Sequence, residues 1–115
     1  MVGASNGTTS AVDYAVTAHI DPNWPRPAGV VLLTGGPYTE NQHSIAGHSA
    51  ALSMPVLFVY SVEEREWSEA QKEFSRPRWT FSIYKDGAHG TKMFAAVPAA
   101  QKDVVAFLAK SLGVP

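Results

Sequence analysis

The sequence predicts an α/β fold in one domain over residues 1–115: a small parallel sheet of about three strands flanked by helices. Three observations carry that expectation. Val30-Val31-Leu32-Leu33 and Val56-Leu57-Phe58-Val59-Tyr60 are apolar throughout, as strands are when both faces of a parallel sheet are covered. Segments with helical spacing alternate with these runs, which implies right-handed crossovers. Glycines and prolines stand at the junctions between them.

Taken in order, Gly3-Ala4-Ser5-Asn6-Gly7 has the spacing G-x-S-x-G, a sharp strand-to-helix turn that presents a serine at the head of a helix. Ala11, Val12, Ala15 and Val16 share one face of a helix over about Asn6 to Ala18. Pro22, Pro25 and Pro27 then make Asp21 to Pro27 a loop. The Val30 to Leu33 strand closes on Gly35-Gly36-Pro37, and Tyr38 to Ser53 follows as a polar, small-residue stretch with a weak helix near Ala46 to Leu52. Pro55 opens the next strand, after which Trp67, Ala70 and Phe74 are spaced for one face of a short helix that Pro77 ends. Trp79 to Tyr84 alternates apolar with polar residues and reads as an edge strand. Gly87-Ala88-His89-Gly90 is a tight turn. Pro98 then suits a first helical position, and Val104, Val105, Leu108 and Leu112 form an apolar stripe ended by Gly113 and Pro115.

Composition removes several classes of function. Nine Lys plus Arg against ten Asp plus Glu leave a formal charge of -1 without long runs of either sign, so neither nucleic acid nor a membrane surface is expected as a partner. A small neutral substrate fits better. The absence of cysteine excludes disulfides, thiol catalysis and thiolate metal sites. His43 and His48 lack a nearby acidic pair and read as loop histidines, so neither metal nor cofactor is expected. Trp24, Trp67 and Trp79 read as packing or interface residues, and Asn6-Gly7-Thr8 as a coincidental glycosylation sequon. The N-terminus shows no basic region followed by an apolar one, and no apolar run approaches the roughly 18 residues of a membrane span. A soluble, cytoplasmic chain is the expectation.

The residues that carry chemistry stand at the carboxyl ends of strands, where parallel sheets build their sites. Ser5 follows the first turn, Glu63 and Glu64 follow the Val56 to Tyr60 strand, and His89 follows the last. Acyl transfer by serine needs this set: a nucleophile, a base to take its proton and a carboxylate to orient the base. Ser5 could instead only cap its helix, and Glu63 and Glu64 could be a solvated helix start; both glutamates stay open as the acid.

Gly3-Ala4-Ser5-Asn6-Gly7, Met54-Pro55-Val56-Leu57-Phe58-Val59-Tyr60-Ser61-Val62-Glu63-Glu64 and Asp86-Gly87-Ala88-His89-Gly90 together resemble the nucleophile, acid and histidine segments of the α/β-hydrolase superfamily. Dienelactone-hydrolase-like and carboxylesterase-like members are the most similar. The resemblance implies Ser5 as nucleophile, His89 as base, Glu64 in the place of the usual aspartate, and the Asn6 backbone N–H in the oxyanion hole. It implies a serine esterase acting on small short-chain carboxylic esters. The alternatives are dienelactone or thioester chemistry and a weak or inactive fragment that serves as a binding module.

The resemblance covers only the C-terminal half of that fold, with Met1-Val2 as the remnant of the strand leading into Ser5, so an N-terminally truncated hydrolase is expected. Two consequences follow. The Val30 to Leu33 strand should lose a neighbour and present an uncovered edge, which predicts a homo-oligomer, in the first instance a dimer. The second oxyanion donor should also be missing, at a cost of about 100- to 1000-fold in turnover, unless a partner chain or the Gly35-Gly36 turn replaces it.

Overall fold

The computed structural model describes residues 1–114. Four strands form one all-parallel sheet in sequential order: β1 (Val2–Ala4), β2 (Val30–Leu33), β3 (Val56–Ser61) and β4 (Trp79–Tyr84). Helix α1 (Asn6–Ile20) links β1 to β2 and the short α2 (Glu66–Ala70) links β3 to β4. Helices α3 (Lys92–Ala96) and α4 (Pro98–Leu112) follow the last strand. No described helix is long and apolar enough to cross a membrane.

The sheet has one strand more than the expected three. Val2 to Ala4 pairs with Val31 to Leu33, and the pairing is extended where Val31 N donates to Met1 O at 2.9 Å and Ser5 N to Leu33 O at 3.0 Å. Three residues are too few to show a period in the sequence.

This strand corrects the expected uncovered edge at Val30 to Leu33. β2 lies between β1 and β3, and its residues are at most 1% exposed. The open edge belongs to β1. Since Met1 O and Ser5 N face β2, the alternation of the strand turns the N–H and C=O of Val2 and Ala4 outward. β4 is the opposite edge, as its alternating pattern predicts.

Both faces of the sheet are covered, which is why β2 and the Val56 to Tyr60 run of β3 are apolar at every position. On one face, Ala11, Val12, Ala15 and Val16 of α1 lie over Val30, Leu32, Phe58 and Tyr60. Phe58 stacks on Phe81 with ring centroids 4.4 Å apart and has Trp79 beside it at 5.5 Å. On the other face, Val31, Leu33, Leu57 and Val59 pack against Met93, Ala100 and Val104. Alternate residues of one strand therefore serve separate cores.

The expected stripe on α4 is only partly used. Val104 is buried with Ala100, but Val105 is 59% and Leu112 65% exposed. Ser111 lies against Gly29, the residue before β2, and Leu112 after it is the exposed last residue of α4. The weak helix expected near Ala46 to Leu52 is a single tight turn, Ser49–Ala51. Trp79 pins it from inside the core by donating its indole N–H to Leu52 O at 2.8 Å.

Tyr60 is buried, and its hydroxyl donates to Glu69 Oε2 at 2.8 Å. Burial, then this carboxylate, pushes the phenol well above its ordinary range. Glu69 is held below the usual carboxylate range, first by Lys72, whose ammonium is 2.5 Å away, and then by Tyr60. A depressed carboxyl contributes stability above its ordinary pKa and loses it as pH falls through the depressed value. Glu69→Gln should therefore reduce the drop in melting temperature between about pH 5 and pH 3. An unchanged drop would show that the pair contributes nothing measurable.

Candidate active site

The site begins at the join of β1 and α1. Ser5 adopts φ 55° and ψ -122°, in the positive-φ region that non-glycine residues rarely enter. Its backbone is tied on both sides: Ser5 N donates to Leu33 O, and Ser5 O accepts from Thr8 N at 3.0 Å and Thr8 Oγ1 at 2.7 Å. Gly3 makes the turn possible. A Cβ there would lie 2.4 Å from Gly7 O and 2.9 Å from Ala11 Cβ, so α1 can approach β1 only over a bare backbone. Gly7 faces open space, so only one of the two motif glycines is sterically required.

The Ser5 side chain makes no capping hydrogen bond to its helix. Its Oγ instead meets His89 Nε2 at 2.5 Å. His89 stands in the turn after β4, and that turn is fastened to the end of β2. Gly90, at φ 63°, donates its N–H to Thr34 Oγ1 at 2.7 Å inside the protein. Thr34 is itself 1% exposed and at φ 48°. Thr34→Val should orphan this buried N–H and cost about 1–2 kcal/mol, measured by denaturant unfolding; an unchanged stability would remove Thr34 from this role.

The other imidazole nitrogen settles which glutamate faces the histidine. His89 Nδ1 lies 2.8 Å from Glu64 Oε1, whereas Glu63 is exposed along the adjoining cleft. An ionised carboxylate only accepts, so Nδ1 carries the proton of a neutral imidazole and Nε2 is left to accept from the Ser5 hydroxyl. Side chains from the ends of β1, β3 and β4 thus form one continuous hydrogen-bonded relay. The His89 and Glu64 side chains are 48% and 37% exposed, so water weakens the electrostatic coupling between them.

Asn6 is the first residue of α1, and its N–H has no acceptor within the helix. Gly35 and Gly36 line a cleft of about 520 Å³ together with Tyr38, Glu64 and Trp67. A second cavity of about 270 Å³ shares Gly36, Pro37, Trp67 and Ala70 with it and reaches Val12, Ile45 and Phe74. Neither wall includes Ser5 or His89. The cleft adjoins the relay through Glu64 and Tyr38, both of which approach His89.

Three features escaped the sequence reading. Thr34 and Tyr38 flank Gly35-Gly36-Pro37 at the carboxyl end of β2, and that position is the signal that could have found them. His43 acquires the acidic neighbour it lacks in sequence, with Nδ1 2.8 Å and backbone N 2.9 Å from Asp13 Oδ1. Among the described residues no three His, Cys, Asp or Glu side chains converge to hold a metal ion.

A scan of the chain against models of known protein families finds no match, and a search of curated proteins finds no relative.

Proposed function

We propose that this chain is a serine hydrolase of small short-chain carboxylic esters, akin to the α/β-hydrolase superfamily. The observation that carries the reading is the relay of Ser5, His89 and Glu64, at 2.5 Å and 2.8 Å. In this reading His89 Nε2 takes the hydroxyl proton as Ser5 Oγ bonds to the ester carbonyl carbon, and the Asn6 N–H donates to the developing oxyanion. The proton then passes to the leaving alkoxide, leaving an acyl group on Ser5. Water reverses the sequence and frees the acid. Glu64 holds the imidazole in the tautomer that serves Ser5 and balances the charge it gains.

The direct test is covalent. A fluorophosphonate probe should label the chain at Ser5, short-chain p-nitrophenyl esters should compete with the label, and a folded chain that stays unlabelled would overturn the reading.

We also propose that the chain self-associates, through the open edge of β1 rather than through β2. Val2 is 46% exposed there, beside outward N–H and C=O groups able to pair with a second copy. Sedimentation should give twice the chain mass of 12.3 kDa, and Val2→Pro, which removes an outward N–H, should return it to one. A single-chain mass for the unaltered protein would refute the pairing.

A further inference from the structure

Tyr38 stands beside the nitrogen through which every proton of the relay passes. Its hydroxyl is 3.5 Å from His89 Nε2, the atom that Ser5 Oγ meets at 2.5 Å. The two rings stand edge to face, with centroids 6.1 Å apart and planes at 67°. Gly36 forms the bed for the phenol: a Cβ at that position would come within 2.9 Å of the ring. Tyr38 is 47% exposed and lines the cleft that also holds Glu64 and Trp67. None of its contacts is needed to hold the core.

Nε2 must serve two further oxygens, the leaving alkoxide and then water. Each has to reach hydrogen-bond distance of Nε2 from a side that Ser5 Oγ leaves free. At 3.5 Å the Tyr38 hydroxyl is a poor partner for the nitrogen itself, but about 1 Å of movement of this half-exposed ring admits a water bonded to both. Resting on the hydrolase reading above, we propose that Tyr38 positions the water that releases the acyl group from Ser5. One water proton goes to Nε2 and the other is held by the phenolic oxygen, which leaves an oxygen lone pair directed at the acyl carbon. The bond from water oxygen to carbon forms, the bond from carbon to Ser5 Oγ breaks, and the proton on Nε2 returns to Oγ. A carboxylic acid departs, and Tyr38 ends the cycle with its own proton.

The test separates the two halves of the reaction in the full chain. After mixing with p-nitrophenyl acetate, acyl-Ser5 is followed by mass spectrometry in the unaltered protein and in Tyr38→Phe, which keeps the ring on Gly36. Decay of acyl-Ser5 is expected to be about 10-fold slower in the variant, while its rate of fluorophosphonate labelling is unchanged. Equal decay rates would overturn the role. So would a parallel fall in labelling, which would make Tyr38 a support for His89 or for acylation. An unaltered protein that forms no acyl-Ser5 and takes no label would remove the hydrolase reading itself, and this role with it.

Discussion

Replacing Ser5 by alanine should lower ester turnover by at least about 1000-fold and leave the fold intact. The Ser5 side chain makes no cap, and among the described residues its Oγ bonds only to His89, so removing Oγ deletes the proposed nucleophile and little else. Alanine at φ 55° meets the same backbone strain that serine already bears. His89→Ala should cost a similar factor if the proposed roles hold, because a base without a nucleophile and a nucleophile without a base are equally idle. Combining the two should cost little more than either alone, as happens when residues act as one unit. The measurement is p-nitrophenyl ester hydrolysis, with circular dichroism and thermal melting to show that both variants fold. Hydrolysis that survives either substitution in a folded protein would dismiss the assigned roles.

The second large effect lies in the backbone beneath the serine. Gly3→Ala should destabilise the protein by about 3 kcal/mol and abolish labelling of Ser5, since the new methyl would sit 2.4 Å from Gly7 O. A backbone atom cannot swing aside as a side chain can, so β1 and α1 must part and carry Oγ away from Nε2. Gly7→Ala serves as the control within the same motif. Its Cβ meets open space in a helix, where alanine is better than glycine by about 1 kcal/mol. Denaturant unfolding of the two variants should therefore move in opposite directions. If Gly3→Ala matched the parent in stability and in labelling, the close approach of β1 and α1 would not be what shapes the elbow.

Much of the fold was legible because burial on two faces leaves a strong mark. β2 and β3 from Val56 to Tyr60 are apolar and buried at every residue, as a strand is with a core on each side. β1 was legible only as the Met1-Val2 remnant that the resemblance implied, for the opposite reason: its three residues hold no period, and its place is set by hydrogen bonds to β2. The expectation of an uncovered edge at Val30 to Leu33 followed from giving that remnant no pairing, whereas three residues suffice to cover β2. Val105 and Leu112 misled for different reasons: Val105 lies on the outer face of α4 with Gln101, Lys102 and Ala109, and Leu112 is the exposed last residue of the helix.

Residue order alone was enough to place a hydroxyl, a carboxylate and an imidazole after successive strands of a parallel sheet, since chain direction sends all those loops to the same end. Spacing alone left Glu63 and Glu64 both open, since adjacent residues in a tight turn point in different directions, and Glu64 was expected only through the resemblance. Residue order could not bring Tyr38 to Nε2, Thr34 to the Gly90 N–H or Asp13 to His43. Those contacts join residues separated by 30 to 56 positions, and they exist only after the packed sheet has brought the loops together.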